Sequence, residues 1–410
     1  MITSQLPTHL PHDREGKSTL VHKLLLLSGQ LGRIPPLALL PLWIGCALFA
    51  GLLWGRDWLL VAVTVAVGTL FDGLSLALLP RRSRSWGPVT PPLLGLTALR
   101  AGLVAAIGLL ADPGNPAMLV QLLAQVTLSA IAVYATWIEP FAVRITRQEL
   151  VVPGWRAGPT LRLLHISDLH FEGHSPREAT VLAAVERLRP DVIVLTGDYL
   201  SLSSVYDPAT QAGACEVLQA LRAPLGVFAI TGSPPVDVPG IVPEVFAGVP
   251  VQWLENAHTT LTWGENRLLV LGVCCTTNDA TDSAVLRQLW ATTSPQHPVL
   301  LLYHTPDIMP TAAELGVTLY LAGHTHGGQL SLPFYGALVT SSKWGKRYEA
   351  GRYQAGATTL YVSRGLGLEG LGAPRARFCA PPEIILWELR GEIQDSAGLL
   401  VTGQVPADPC

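Results

Sequence analysis

The chain has 410 residues, more than one ordinary domain requires, and 49% of them are hydrophobic against only 14% charged. Its mean hydropathy of +0.37 is too apolar for an average soluble enzyme. A net charge of −3 gives no electrostatic footprint for nucleic acid, and six scattered cysteines make no disulfide framework, which favours a reducing compartment.

Residues 1–33 form a polar, then mixed, N-terminal segment carrying Arg14, Lys17, Lys23 and Arg33. It lacks the apolar core and small-residue cleavage site of a signal peptide. Gly16-Lys17-Ser18 resembles the end of a phosphate-binding loop, but Pro11 stands where a glycine is required and no strand precedes it.

The apolar excess sits in 34–141. Four segments, near 35–54, 58–79, 93–111 and 117–141, are about 20 residues each, the length that crosses a bilayer. Arg81, Arg82 and Arg84 lie between the second and third segments, and Arg144, Arg147, Arg156 and Arg162 follow the fourth. The opposite loops, Gly55–Asp57 and Asp112–Asn115, hold one Arg and two Asp. The positive-inside rule then places the N-terminus, the 80–87 loop and the C-terminal half in the cytoplasm. Arg100 lies inside the third segment, where a charge calls for a partner such as Asp72 or Glu139. So few intramembrane charges, with no internal repeat, argue against a transporter or channel.

A Pro- and Gly-containing stretch, 142–160, reads as a linker. From 161 short apolar strands alternate with helical patterns, as in a layered α/β domain over 161–390. Strands are expected at Leu161–Ile166, Asp191–Thr196, Gly226–Thr231, Arg267–Val273, Pro298–Tyr303, Val317–Ala322 and Thr358–Ser363. Helical spacing marks Glu178–Leu188, Ala214–Leu221 and Ala284–Trp290. Cys274-Cys275 read as buried strand residues. The tail, 391–410, reads as disordered.

The chemistry-bearing residues follow these strands. Asp168 and His170 come after Leu163–Ile166, Asp198 after Val192–Leu195, His304 after Leu300–Tyr303, and His324 and His326 after Leu319–Ala322. Sites in such sheets form beyond the carboxyl ends of strands, so residues distant in sequence can converge. A mixed Asp/His set suits Mn, Fe or Zn better than Ca or Mg alone. Gly365-Leu-Gly367-Leu-Glu-Gly370 matches a dinucleotide fingerprint by letters, yet leads into Gly372-Ala-Pro374 rather than a helix. Lys343, Lys346 and Arg347, with Trp344 and Tyr348, form a basic-aromatic patch that reads as a solvated loop, or as a contact for an anionic lipid headgroup.

Ile166-Ser-Asp168-Leu-His170, Leu195-Thr-Gly-Asp198, Tyr303-His304-Thr-Pro-Asp307 and Gly323-His324-Thr-His326-Gly-Gly-Gln329 resemble the calcineurin-like metallophosphoesterase superfamily, in particular its bacterial membrane-anchored branch. Glu139-Pro140, Ser363-Arg-Gly-Leu-Gly367 and Pro381-Pro-Glu383 also match that branch. The resemblance covers about residues 137–390. It implies a four-layer α/β/β/α sandwich, here preceded by a four-helix transmembrane bundle. It further implies one or two divalent metal ions. Asp168, His170 and His326 would hold the first, Asp198 would bridge, and His304 and His324 would hold the second. A bridging hydroxide would attack phosphorus in line.

One motif departs from the family. Where Gly-Asn-His-Asp is expected, the chain has Gly232-Ser233-Pro234-Pro235. Ser233 is a weaker, shorter ligand than Asn, and Pro234 has no side-chain proton donor where a His would stand. Asp237 and His258 are the candidates to compensate. The implied function is a metal-dependent hydrolase of phosphodiesters or pyrophosphates, with phosphorylated and lipid-linked small molecules as candidate substrates. It would be a multi-pass protein of the inner (cytoplasmic) membrane, partnered by the lipid bilayer, with its catalytic domain facing the cytoplasm. The loss of the Asn and His at 233–234 supports an alternative: a catalytically degenerate metal-binding sensor or scaffold of the same fold.

Overall fold

The computed structural model describes residues 27–111 and 115–392. The loop at 112–114, most of the N-terminal segment and all but two residues of the tail lie outside them. Contacts divide the chain into two units. One comprises residues 141–368 and 377–392, and the other residues 27–111 and 115–140 together with Glu369–Ala376.

The second unit is helical. Its main helices are α1 (Leu40–Leu52), α2 (Trp58–Leu78), α3 (Thr90–Leu110) and α4 (Asn115–Val133). Three helical stretches, Gly55–Leu78, Thr90–Leu110 and Pro116–Phe141, are long and apolar enough to cross a membrane. The first expected span falls short of them. Its apolar helix runs only Pro36–Leu52, delimited by Pro35 and Pro36 at one end and the turn before Gly55 at the other. At 1.5 Å per residue it reaches about 25 Å, against a hydrocarbon core of about 30 Å. Leu37, Phe49, Leu52, Leu70, Leu109 and Leu110 are among the many apolar side chains left exposed. Polar groups turn inward instead. Arg100 pairs with Asp72 at 2.5 Å, both side chains 1% exposed. Arg100 also donates to the Gln125 side chain and to Ser129 Oγ (2.9 Å), and Ser129 donates to Asp72 (2.8 Å). A Cβ on Gly68 would meet Arg100 Nη1 at 2.4 Å, so the guanidinium occupies space that a glycine leaves.

The first unit holds two six-stranded sheets. Strand order in one is β1 (Arg144–Val151), β14 (Glu383–Arg390), β2 (Leu161–Ile166), β3 (Val192–Leu195), β4 (Val227–Ala229), β5 (Val251–Trp253). In the other it is β12 (Gly351–Ala355), β13 (Thr358–Val362), β9 (Leu319–Ala322), β8 (Val299–Leu302), β7 (Asn266–Gly272), β6 (Ala257–Trp263). Strand alternation assigns each side chain a layer. Leu161, Leu163, Val192 and Val194 pack with Leu300, Leu302, Leu319 and Leu321 in a core between the sheets. Leu164, Ile166, Ile193 and Leu195 face outward against Val181 and Val185 of α5 (Pro176–Leu188) and Val217 of α6 (Pro208–Ala220). Leu269, Leu271 and Leu301 face the other way, against Leu286 and Leu289 of α8 (Asp279–Thr293) and Ala312 of α9 (Met309–Leu315). A shorter helix, α7 (Val242–Phe246), precedes β5.

Three sequence readings change in detail. The stretch 142–160, read as a linker, contains β1, which pairs in parallel with β14 across all eight residues. Its pattern is exposed and half-buried in alternation, so it lacks the apolar run of a buried strand. Helices α6 and α8 start earlier than their apolar spacing suggests, because Asp207 and Asn278 cap them by accepting backbone N–H groups. Cys275 is buried, but β7 ends at Gly272, so the cysteine pair lies beyond the strand.

Candidate metal centre

Six strands deliver the site. The loops after β2, β3, β4, β8, β9 and β13 carry respectively Asp168 and His170, Asp198, Ser233, His304, His324 and His326, and Gly365 with Gly367. Asp168, His170, Asp198, His304 and His326 are all at most 3% exposed, and His324 is half-buried.

Their ligating atoms form two clusters, Asp168/His170/His326 and Asp198/His304/His324, each within 4.8 Å. His170 Nε2 lies 3.0 Å from His326 Nε2, and His304 Nε2 lies 3.1 Å from His324 Nδ1. Asp198 Oδ2 stands between the clusters, 3.5 Å from His170 Nε2 and 3.3 Å from His304 Nε2.

The backbone is strained to achieve this. Asp168, His170, Asp198, His324 and His326 all have positive φ, from 39° to 71°. Such conformations cost about 1–3 kcal/mol each and persist where the surroundings over-determine them. Two glycines allow the close approach. A Cβ on Gly232 would meet Asp198 Oδ1 at 2.2 Å, and one on Gly323 would meet Asp168 Oδ2 at 2.2 Å.

The arrangement fits cations. His304 Nδ1 is 2.7 Å from the Thr196 carbonyl, which can only accept. The proton is therefore on Nδ1, and Nε2 offers its lone pair to the cluster. Asp168 Oδ2 and His170 Nδ1 are buried without hydrogen-bond partners. Burial, then the neighbouring Asp198 against the pull of His304, pushes the Asp168 carboxyl up. Burial pushes His326 well down, reinforced by His170 and Arg377. Burial opposes charge on His304 too, but Asp198 and Asp168 outweigh it and raise that imidazole to about 10, so the acids favour a proton on Nε2 whose place a cation at the cluster would take. Two carboxylates and four imidazoles meeting in a largely buried pocket are a donor set for divalent metal.

Ser233 enters the second cluster. Its Oγ lies 3.2 Å from His304 Nε2, 3.3 Å from His324 Nδ1 and 3.4 Å from Asp198 Oδ2, and its N–H donates to Asp198 Oδ1 at 2.6 Å. Pro234 contributes no donor; a turn closes here, with the Val236 and Asp237 amides bonded to the Ser233 carbonyl. Asp237 does not supply a ligand atom. Its carboxylate accepts the N–H groups of Asp198 (2.8 Å), Tyr199 (2.9 Å) and Gly232 (2.6 Å). His258 lies exposed on β6, paired with Leu271, and takes no part.

Arg377 escaped sequence reasoning. It is fully buried, and its guanidinium donates to the carbonyls of Gly367 (2.6 Å), Arg364 (2.9 Å) and Ala380 (2.9 Å). It thereby fixes the loop that packs Gly365 on Asp168 and Gly367 on His170. A lone arginine after a Pro-Arg-Ala stretch carries no motif, so no sequence signal singled it out. That loop leads from β13 into no helix, which excludes the dinucleotide reading of Gly365–Gly370.

No family model matches the chain. Curated relatives do. It is 30% identical over 274 residues to the uncharacterized metallophosphoesterase YkuE of Bacillus subtilis, covering 63% of this chain and 89% of that protein. It is 27% identical to the UDP-2,3-diacylglucosamine pyrophosphatase LpxG of Chlamydia trachomatis, covering 62% and 91%. It is 28% identical to the phosphodiesterase YaeI of Escherichia coli, covering 62% and 92%.

Proposed function

Because the chain belongs to the calcineurin-like metallophosphoesterases, hydrolases of phosphoester or pyrophosphate bonds, we propose that it is a membrane-anchored phosphohydrolase that works on phosphodiester or pyrophosphate links of lipid-borne molecules. The observation that carries this reading is Asp198 Oδ2, standing within 3.5 Å of imidazole nitrogens from both clusters. Asp168, His170 and His326 would hold one divalent cation, Mn, Fe or Zn. His304, His324, Asp198 and, weakly, Ser233 would hold a second. Two such cations supply Lewis acidity toward the phosphoryl group and a nucleophile at neutral pH.

The remaining work falls to the chain itself. Thr196 fixes the His304 tautomer, Asp237 holds the Asp198 loop, and burial keeps competing water from the inner ligands. With Pro234 in place of an imidazole, no side chain donates a proton to the leaving oxygen from that position, and turnover is reduced accordingly. The apolar helices anchor the site at the inner membrane, multi-pass, with 161–390 on the cytoplasmic side. That orientation is supported by Arg81, Arg82, Arg84 and Arg144 flanking the spans. Tethering raises the encounter rate with membrane substrates. LpxG, named for a lipid-linked pyrophosphate, supports the substrate class.

The test is hydrolysis of a model phosphodiester by the detergent-solubilised full chain loaded with Mn²⁺. Parent activity that Asp198→Asn and His326→Ala abolish supports the enzyme. A parent no faster than those variants overturns it, and favours the second reading, a degenerate metal-binding sensor or scaffold, which rests on Ser233-Pro234.

A further inference from the structure

The hairpin of β10 (Ser331–Leu332) and β11 (Gly336–Ala337) forms a two-stranded sheet separate from the two six-stranded ones. Among the described residues from 141 to 392, seven large apolar or aromatic side chains are exposed. Five of them are here: Leu332, Phe334, Tyr335, Leu338 and Val339, with Phe334 fully extended into solvent. The turn is closed by the Tyr335 amide on the Leu332 carbonyl (3.2 Å), and Phe334 sits at its tip with φ 64°. A bulky aromatic in that left-handed region is strained, and no core packing repays it.

A basic pair, Lys346 and Arg347, accompanies the apolar tip, with Lys346 in contact with it. Lys346 Nζ lies 3.3 Å above the Tyr335 ring and bonds to the Tyr335 carbonyl. Arg347 lies 5.4 Å from the rings of Trp344 and Tyr348. Among the described residues no carboxylate pairs with either cation; the nearby Glu349 is turned inward, accepting the Ala337 amide at 3.1 Å. Lys343 is paired with Asp279. An exposed apolar and aromatic tip with Lys346 against it, and Arg347 next to Lys346 in the chain, has the composition of an element that lies in a bilayer interface.

The hairpin is built onto the metal-site loop. Ser331 Oγ donates to the Gly327 carbonyl at 2.6 Å, and a Cβ on Gly328 would meet Ala337 at 2.5 Å. Both glycines directly follow His326.

We propose that this hairpin docks on the anionic surface of the lipid bilayer, with Phe334 and its apolar neighbours in the acyl boundary and Lys346 and Arg347 on the phosphates. Charge complementarity selects the occupant, since a neutral apolar partner would leave both cations without a counter-charge. The contact seats the His324–His326 loop at the headgroup level, which deepens the proposed function by making membrane lipids its substrate class.

The full chain, reconstituted in nanodiscs of phosphatidylcholine with phosphatidylglycerol, carries a photo-crosslinking amino acid at position 334 or, as control, at position 206, where the exposed aromatic Tyr206 lies outside the hairpin. Lipid adducts at 334 but not at 206, lost in pure phosphatidylcholine or with Lys346→Glu and Arg347→Glu, are expected. Equal labelling at both positions, or adducts to a second copy of the chain, overturns the proposal. This arm needs no activity, so it stands or falls apart from the phosphohydrolase reading. Where the chain does hydrolyse phosphodiesters, Phe334→Asp raises KM roughly tenfold for a vesicle-embedded substrate. It leaves kcat and the soluble substrate unchanged; an equal loss on both substrates also overturns the docking role.

Discussion

Asp237 holds the backbone of Asp198 in place: its Oδ2 accepts the Asp198 amide at 2.8 Å and the Gly232 amide at 2.6 Å, joining two site loops through one carboxylate. Burial and the nearby Asp198 charge raise its pKa to about 7, so this acceptor is held against its own desolvation. Asp237→Asn turns an NH₂ group toward N–H donors that need an acceptor. We expect a drop of about 10–100-fold in metal affinity or activity, the range for groups that orient ligands. Metal content per chain after dialysis checks it. Unchanged stoichiometry and rate would show that the loops hold without the carboxylate.

The neighbouring gap has its own test. Ser233 Oγ approaches His304 and His324 at 3.2 and 3.3 Å, close enough to share a cation weakly. Ser233→Ala should therefore lower occupancy of the second cluster while the Asp168/His170/His326 cluster stays filled. The pair Ser233→Asn with Pro234→His should raise kcat by about 10²-fold or more, the usual contribution of a proton donor. No gain with both metals bound would mean that chemistry is not what limits turnover.

In the helical unit the Arg100–Asp72 pair is 1% exposed on both sides. Removing one partner of a buried pair strands the other charge, at about 3–5 kcal/mol, whereas replacing both with apolar residues is often neutral. Asp72→Leu should lower the unfolding temperature in detergent, and Asp72→Leu with Arg100→Met should restore much of it. Gly68→Ala should act like the single variant, because its Cβ would stand 2.4 Å from Arg100 Nη1. A double variant as unstable as the single one would show that the network does more than neutralise two charges.

Much of this site could be read from the letters because each ligand follows a short apolar strand, and strand ends converge. Val192–Leu195 before Asp198 and Leu319–Ala322 before His324 are examples. What the letters concealed was held by single side chains acting on backbone. Asp237 looked like a stand-in ligand and proved a loop clamp. Arg377 and Thr196 act through carbonyls, which no motif records. Strand β1 was hidden because it is half-exposed and pairs with a strand more than 200 residues away. Arg100 did announce a partner, and of the two acids considered it bonds Asp72.

Acid stability offers a last test, through His165 on β2. Its Nε2 lies 2.8 Å from Thr196 Oγ1, which itself donates to Ser167, so Nε2 is the donor and Nδ1 is left buried without a partner. Full burial lowers its pKa from 6.5 to about 3. The folded imidazole stays neutral where the unfolded one takes a proton. Its contribution is therefore complete above pH 6.5 and is lost as pH falls from 6.5 toward 3, at about 1.4 kcal/mol per unit. By pH 5 that amounts to about 2 kcal/mol, before most carboxylates titrate. His165→Gln, which keeps an N–H for Thr196 but cannot be protonated, should flatten the fall of the urea midpoint between pH 7 and 5. A variant with the same slope as the parent would place the acid sensitivity elsewhere.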